Sequence, residues 1–149
     1  MDHIDEKILS ILQSDGRISM SKLARALPMS VPATCERVHK LEDSGAIRKY
    51  TIAIDPVKIG KTISAFILFA PHIGKLDESI AWARQDPHIV SCWTLAGKYG
   101  LMLHVLCEDM KDYADFIKEL FPIGTSESYI IIDEAKGASY FPGFGDHEE

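Results

Sequence analysis

The chain lacks the sequence features of several large protein classes. Only three cysteines occur among its 149 residues, Cys35, Cys92 and Cys107, and no two of them form a Cys-x-x-Cys pair. The six histidines are scattered singly, so no segment has the spacing of metal ligands. We therefore expect reduced thiols, as in a cytoplasmic protein, and neither a metal site nor a bound cofactor.

Long apolar runs are also absent. No stretch approaches the roughly 20 consecutive apolar residues that a membrane-spanning helix needs, and the N-terminal sequence MDHIDEKILS is acidic rather than a basic leader. Hydrophobic residues make up 46% of the chain and charged residues 26%, which is enough apolar surface for a buried core. The sequence therefore predicts a soluble, cytoplasmic protein of one large or two small domains, with no membrane partner.

Charge is distributed unevenly along the chain. The net charge is −6, yet residues 1–60 carry nine Lys/Arg and eight Asp/Glu, whereas residues 61–149 carry seven and fourteen. Between Arg17 and Lys49 there are seven basic residues and only three acidic ones, which concentrates positive charge where an anion could bind. The difference predicts two domains, one at 1–60 and one at 61–149.

Three segments of the first domain have apolar residues at helical spacing. They predict helices from Asp2 to Gly16, from Ser19 to Leu27 and from Ser30 to Ser44, each beginning at a residue that can cap a helix. Only Pro28 to Ser30 separate the second helix from the third. A short helix, a tight connection and a longer helix form the helix-turn-helix unit, whose second helix enters the major groove of DNA.

The outward face of the third helix fits that role. Small residues at its start allow close approach to base edges, and basic residues follow that can meet phosphate or guanine. This face consists of Pro32, Ala33, Glu36, Arg37 and Lys40. After the helix, the residues from Ala46 to Ile54 predict a strand, which would make the domain a winged helix-turn-helix. A turn that ends at Gly60 follows this strand. The alternative is a plain three-helix bundle with a solvated charged face.

The second domain alternates strands and helices, which makes the whole chain an α+β protein. The strands are predicted at 62–71, 88–97, 101–108 and 126–133, and the helices at 75–86 and 109–121. This βαββαβ order is that of a ferredoxin-like fold, with both helices on one face of a four-stranded antiparallel sheet. The segments 65–70, 101–106 and 130–132 are largely apolar on both faces, although helices cover only one. We therefore predict that a second copy covers the other face, giving a homodimer.

These residues together resemble the Lrp/AsnC (leucine-responsive regulatory protein / asparagine synthetase activator) family of prokaryotic transcription regulators. The resemblance spans nearly the whole chain and includes the LExxG segment at Leu41–Gly45 and a glycine turn at Gly97. Further matching residues are Ile4, Asp5, Arg17, Ser30, Arg37, Ile47, Tyr50, Asp55, Pro56 and Gly60. The resemblance implies a sequence-specific DNA-binding regulator that acts as a homo-oligomer, with dimers assembling into tetramers or octamers. We predict contacts to double-stranded DNA from Arg17, Ser30, Pro32, Ala33, Thr34, Glu36, Arg37 and Lys40.

The resemblance also implies a small effector, often an amino acid, in a cleft between protomers at the turn after the second strand of the sheet. The matching residues are Leu95, Ala96, Gly97, Lys98, Tyr99 and Gly100. The family commonly has aspartate where this chain has Gly100, so nothing within the turn pairs with an ammonium group, whereas Lys98 attracts a carboxylate. We therefore expect an effector of net negative charge, such as an organic acid. The alternative is a hairpin turn without a ligand.

Two other functions compete with DNA-binding regulation. Sirohaem decarboxylases resemble this family in fold and carry histidines in the pocket of the sheet domain, and this chain has His72, His88 and His104. No catalytic dyad or metal spacing is visible, however, and the basic face of the third helix would then have no role, so we predict no enzymatic activity. The other alternative is an oligomerising, effector-binding module that does not bind DNA. The aromatic tail at 137–149 either frays or docks on a neighbour.

Overall fold

The computed structural model describes residues 1–134, and the tail at 137–149 lies outside the described part of the chain. The described residues form two compact units, Met1–Ala53 and Ile54–Glu134, which we call the helix unit and the sheet unit. The boundary predicted at residue 60 therefore falls inside the sheet unit.

Three helices form the helix unit, as the sequence predicted. They are α1 (His3–Ser14), α2 (Met20–Arg25) and α3 (Val31–Asp43). Each begins after a side chain that accepts a hydrogen bond from the first turn, and these caps are Asp2, Ser19 and Ser30. The inward faces meet in one small core of Ile8, Leu12, Leu23, Leu27, Val38 and Leu41. Burial of these apolar side chains fixes α3 in place and leaves its other side in solvent.

The predicted strand from Ala46 to Ile54 is wrong, because this stretch contains neither helix nor strand. A strand needs a neighbouring strand to satisfy its backbone N–H and C=O groups. Within residues 1–134, no backbone hydrogen bond involves residues 48–54. The described chain therefore has no wing strand of its own. We call residues 48–55 the linker, and a short 3₁₀ turn at Val57–Ile59 follows it.

The sheet unit has the predicted βαββαβ order. Its elements are β1 (Ile63–Pro71), α4 (Leu76–Ala83), β2 (Ile89–Thr94), β3 (Leu101–Cys107), α5 (Met110–Leu120) and β4 (Gly124–Ile130). All strand pairs are antiparallel and the strand order is β2-β3-β1-β4, so the ferredoxin-like fold is confirmed. Among residues 1–134 no helix exceeds 13 residues, and none is long and apolar enough to cross a membrane.

The two helices of the sheet unit cover one face of the sheet. The buried residues between them are Ala65, Ile67, Phe69, Leu101, Leu103, Val105, Cys107, Phe116 and Leu120. A close approach occurs at Gly124, where an added Cβ atom would lie 2.6 Å from Cε2 of Phe69 and 2.3 Å from the carbonyl oxygen of Ala70. Only glycine therefore fits at the start of β4.

The opposite face of the sheet, which we call the open face, is not covered by any described element of the sheet unit. Strand alternation places on it Phe66, Leu68, Ala70, Trp93, Met102, His104 and Leu106. The prediction of two apolar faces is thus confirmed for β1 and β3. It is wrong for β4, which begins earlier than predicted and carries Thr125, Glu127 and Tyr129 on this face.

Candidate DNA-binding surface and effector turn

The solvent side of α3 forms the candidate DNA-binding surface. The predicted contact residues that are exposed there are Ser30, Pro32, Glu36 and Lys40, and Ala33 is half-buried. The Ser30 hydroxyl caps the helix by accepting a hydrogen bond from the Ala33 N–H at 3.4 Å. Arg17 is exposed between α1 and α2. Small side chains at the start of α3 leave its first turn open to a base edge.

Thr34 was wrongly placed among the DNA contacts. Its side chain is fully buried, and its hydroxyl donates to the Ser30 carbonyl at 3.0 Å. The apolar stripe of α3 runs through Thr34, Val38 and Leu41, whereas Val31 at the start of the helix is 40% exposed. The sequence pattern misassigned the first turn because a β-branched threonine whose hydroxyl bonds to its own helix packs much like a valine.

Arg37 lies outside the apolar stripe of α3, as predicted, but it is paired with two carboxylates, which the sequence did not predict. Its Nη1 donates to Oδ2 of Asp2 at 2.8 Å and to Oδ1 of Asp5 at 2.7 Å, which joins α3 to the start of α1. Hydrogen bonds from the Asp5 N–H and from Arg37 lower the pKa of Asp2. Burial acts to raise the pKa of Asp5, but hydrogen bonds from the Asp2 N–H and Arg37 bring it below its ordinary value. Two carboxylates therefore compensate the charge of Arg37.

Other cations of the helix unit remain available to an anion. Lys40 pairs with Glu36 one turn earlier at 2.7 Å, and both side chains are largely exposed, so a phosphate can compete for the ammonium group. Six further cations of the helix unit form no ion pair with any residue of the described part, 1–134, namely Lys7, Arg17, Lys22, Arg25, Arg48 and Lys49. The sequence prediction did not include Lys22 and Arg25, although both lie outside the apolar stripe of α2.

The candidate effector turn closes the hairpin between β2 and β3. The Leu95 N–H donates to the Gly100 carbonyl at 2.8 Å, and Gly97 has a φ of +154°, which side-chain-bearing residues rarely adopt. Ala96 is exposed at the tip. The Nζ atom of Lys98 lies 4.8 Å from the centre of the Tyr99 ring, a cation–π contact. The six predicted effector residues therefore form one turn, with a cation at its surface.

The turn also has an acidic neighbour that the sequence prediction missed. Glu127 of β4 accepts a hydrogen bond from the Tyr99 hydroxyl at 2.5 Å and another from Tyr129. These bonds, first that from Tyr129 and then that from Tyr99, lower the pKa of Glu127, so its carboxylate stays ionised at neutral pH. Glu127 thus supplies, from the neighbouring strand, a carboxylate that the turn residues themselves lack. Strand packing alone brings Glu127 here, and no local sequence signal marks it.

Aromatic contacts join the open face into one patch. The His104 ring stacks on Phe66 with centroids 4.8 Å apart, and the Phe66 ring lies 6.5 Å from that of Trp93. The His104 Nε2 is 2.9 Å from the Ser64 hydroxyl oxygen. Burial lowers the pKa of His104, which favours the neutral ring. An uncharged histidine among aromatic side chains suits a contact from which water is excluded.

The three histidines that an enzyme would use have separate surroundings. His88 lies between Asp86, 3.0 Å from its Nδ1, and Asp112, 3.2 Å from its Nε2. His104 contacts Ser64, and His72 is exposed after β1. In the part of the chain that the structure describes, no three His, Cys, Asp or Glu side chains are grouped as metal ligands.

A helix-turn-helix unit followed by an α+β sheet unit defines a class of protein, the DNA-binding transcription regulators. Residues 1–42 match the AsnC-type helix-turn-helix domain, and residues 64–140 match the Lrp/AsnC ligand binding domain. The chain belongs to the Lrp/AsnC family of transcription regulators, as the resemblance indicated.

Named relatives support this assignment along most of the chain. The HTH-type transcriptional regulator LrpC of Bacillus subtilis is 30% identical over 134 residues, which cover 90% of this chain and 93% of LrpC. The LrpC structure has a TM-score of 0.87 and covers 91% of this chain and 97% of its own at 29% identity. The DNA-binding transcriptional activator DecR of Escherichia coli is 32% identical over 127 residues, which cover 80% of this chain and 81% of DecR. The structure of a transcriptional regulator from Neisseria meningitidis in complex with L-methionine has a TM-score of 0.86 at 27% identity. The match covers 95% of this chain and 96% of that regulator.

Proposed function

We propose that the protein regulates transcription as a homodimer that reads two half-sites of an operator, and that it is not an enzyme. The observation that carries the proposal is the open first turn of α3, where Ser30, Pro32 and Ala33 present little side-chain bulk. In a helix-turn-helix, this is the helix that enters the major groove. Because such a regulator works on the chromosome, we place its action in the cytoplasm.

The proposed DNA contacts divide by chemistry. The small residues at the start of α3 approach base edges, while Lys40 and Arg17 bind phosphate oxygens on either side of the groove. Lys22 and Arg25 of α2 add charge to the same helix unit. Arg37 contributes through its bonds to Asp2 and Asp5, which hold α3 at a fixed angle to α1.

The open face is the proposed surface for the second copy. An isologous contact places the same patch of each copy against the other, so Phe66, Leu68 and Trp93 meet their own equivalents. Trp93 is 43% exposed in the single chain, which is unusual for so large an apolar side chain unless a partner covers it. A dimer formed through this face contains two helix units, and binding to two half-sites requires two such units.

A gel-shift experiment with the DNA upstream of the protein's own gene tests the regulator proposal. Lys40→Ala is expected to weaken binding to every sequence alike and to lower the slope of log affinity against log salt concentration by about one unit. Lys118→Ala is the matched control, because this lysine is equally exposed and paired but lies on α5. No binding by the wild-type protein to this DNA or to random duplex at low salt would contradict the proposal.

We further propose that the effector bound at the Gly97–Gly100 turn is an amino acid. The complex of a related regulator with L-methionine supports this, and so does the charge at the turn, where Lys98 offers a cation and Glu127 an anion. A zwitterion places its carboxylate near the first and its ammonium group near the second. This ligand class replaces the net-negative effector expected from the turn residues alone.

Thermal unfolding with paired ligands tests the effector class. Leucine and methionine are compared with the same molecules lacking the amino group, for example 4-methylpentanoate for leucine. We expect the amino acids to raise Tm, because only they satisfy both charges, and we expect Glu127→Gln to remove that rise. Glu119→Gln, an exposed change on α5, serves as the control. Equal stabilisation by leucine and 4-methylpentanoate would contradict the proposal.

A further inference from the structure

A cavity of about 460 Å³ lies on the helix side of the sheet unit, where α4, the end of α5 and the loop after β1 meet. We call it the helix-side cavity. Pockets that bind small organic molecules have volumes of about 300–1,000 Å³. None of the described residues that line it belongs to the effector turn or to the open face. A dimer formed through the open face therefore leaves this cavity accessible.

One wall of the helix-side cavity is apolar and held in place. Trp82 of α4 lines it, and the Trp82 ring stacks on that of Phe116 with centroids 6.0 Å apart and planes 21° apart. Pro122 and Ile123 continue the lining after α5. The N–H of His72 donates to the Ile123 carbonyl at 3.0 Å, which joins the loop after β1 to the residue before β4. The cavity is therefore preformed, and it offers an indole, the best aromatic surface for a cation.

A buried hydroxyl opens into the helix-side cavity. Ser79 is only 4% exposed and lines the cavity. A serine inside a helix can donate its hydroxyl to the carbonyl four residues earlier, but here it is the Ser79 N–H that donates to the Lys75 carbonyl, at 2.9 Å. Within residues 1–134 the Ser79 hydroxyl has no hydrogen-bond partner, and no side-chain polar atom there is both enclosed and unpartnered. The hydroxyl oxygen therefore faces the accessible space of the cavity, where a ligand can hydrogen-bond to it.

The charges of the lining leave one carboxylate without a counterion. The Nζ atom of Lys75 lies 2.5 Å from Oε2 of Glu78, so these two exposed side chains compensate each other. Glu119 of α5 also lines the cavity, and within residues 1–134 it has no ion-pair partner. The exposed imidazole of His72 can, in its neutral form, accept a hydrogen bond from an ammonium group. The lining therefore attracts a cation and repels a carboxylate.

We propose that the helix-side cavity binds an organic amine, a molecule with an ammonium group on an apolar ring or chain and without a carboxylate. Glu119 supplies the opposite charge, Ser79 accepts a hydrogen bond from the ammonium group, and the apolar part packs on Trp82. An amino acid fits poorly, because Lys75, the cation beside the cavity, is already paired with Glu78. The site thus differs from the effector turn both in its place and in its ligand class.

Fluorine NMR shows where an amine binds. The full-length protein labelled with 5-fluorotryptophan has two signals, from Trp82 beside the cavity and from Trp93 on the open face, and Trp82→Phe assigns them. Phenethylamine is the probe, in phosphate buffer because Tris is itself an amine. We expect phenethylamine to shift the Trp82 signal in a saturable manner and to leave the Trp93 signal unchanged.

Three matched ligands test the ligand class through the same Trp82 signal. Phenylalanine adds a carboxylate to phenethylamine, 3-phenylpropanoate has a carboxylate and no ammonium group, and 2-phenylethanol is neutral. We expect phenethylamine to bind at least about tenfold more tightly than each of them, because only it carries a positive charge without a negative one.

Single substitutions test the lining. Glu119→Gln should weaken the binding of phenethylamine about threefold to tenfold, because it removes the opposite charge and keeps the shape of the side chain. Asp77→Asn is the matched control, since Asp77 is also an exposed carboxylate and lies on α4 outside the lining. Ser79→Ala should weaken binding several-fold by removing the hydroxyl. Far-UV circular dichroism checks that each variant is folded.

The outcomes decide the proposal. A saturable shift of the Trp82 signal that Glu119→Gln weakens and Asp77→Asn leaves unchanged supports the amine site. No shift at Trp82, or a shift at Trp93 alone, overturns it. Binding of 2-phenylethanol as tight as that of phenethylamine, or equal weakening by Glu119→Gln and Asp77→Asn, also overturns it. The proposals for DNA binding and for the effector turn do not depend on any of these results.

Discussion

The helix unit and the sheet unit bury their apolar residues in different ways. In the helix unit one core of six fully or nearly buried residues uses the inward stripe of each helix, and the outward faces carry charge. In the sheet unit the helices cover one face of the sheet, and the other face presents a second apolar layer around Phe66 and Trp93. The comparison teaches that the helix unit buries its apolar residues in one internal core, whereas the sheet unit leaves an apolar face, which we propose that a second copy covers.

The largest effect is expected from a charge on the covered face. Ile67→Glu places an unpaired carboxylate in the buried core, which we expect to destabilise the sheet unit by at least about 3 kcal/mol. Both tryptophans, Trp82 and Trp93, lie in this unit, so urea unfolding followed by tryptophan fluorescence reports on it alone. An unchanged unfolding midpoint would show that position 67 is not enclosed.

A methyl group at Gly124 is the next largest change. Gly124→Ala sets Cβ against Phe69 and the Ala70 carbonyl, so β1 and β4 must separate, and we expect a loss of about 2–3 kcal/mol. Gly100→Ala is the control in the same unit, because its Cβ would be 3.4 Å from Cδ1 of Leu76, an ordinary contact. Urea unfolding of the two variants should differ clearly; equal midpoints would remove the special role of Gly124.

In the helix unit, the ion pairs of Arg37 with Asp2 and Asp5 join α3 to the start of α1 and should contribute to stability. Arg37→Ala should lower the Tm of this unit modestly, because it unties α3 from Asp2 and Asp5, whereas Lys40→Ala breaks only an exposed pair and should not. Far-UV circular dichroism follows the helices, with tryptophan fluorescence as the reference for the sheet unit. If Arg37→Ala instead abolished DNA binding at unchanged Tm, Arg37 would be a direct DNA contact.

The same ion pairs predict a dependence on pH. The pKa values of Asp2 and Asp5 are lowered from an ordinary 3.8 in the folded chain, so their contribution to stability is present above about pH 4 and is lost as the pH falls through the folded pKa values. The difference in Tm between wild type and Arg37→Ala should therefore be full at pH 6 and shrink towards pH 3. A difference that grew in acid would have the wrong sign.

The smallest effect concerns the effector turn. Gly100→Asp fits sterically, because the added Cβ meets only side-chain atoms of Leu76 and Pro71 at 3.4 Å or more. We expect little change in the free energy of unfolding and a higher affinity for an amino acid, because the new carboxylate can accept hydrogen bonds from its ammonium group. Calorimetry with leucine measures the change; weaker binding by a folded Gly100→Asp variant would place the ligand elsewhere.

Local patterns in the sequence predicted the elements well, and contacts between distant residues set the limit. Periodicity and caps located the three helices and the order of the sheet to within a few residues. The ion pairs of Arg37 were missed because its partners lie 32 and 35 residues away, and Glu127 was missed because strand packing, 28 residues from Tyr99, brings it to the turn. Ala46 to Ile54 was predicted as a strand, but hydrogen bonds to a neighbouring strand decide whether one forms, and within residues 1–134 the linker backbone makes none from 48 to 54.

The most direct test of the open face as the dimer contact is sedimentation of Leu68→Glu. This residue neighbours Ile67 on β1 but points to the open face, and Ala81→Glu on the exposed side of α4 controls for the added charge. We expect Leu68→Glu to keep the wild-type urea midpoint, to sediment as a monomer and to bind operator DNA more weakly, with Ala81→Glu dimeric. A folded Leu68→Glu protein that remains dimeric at wild-type strength would contradict the assignment of the open face.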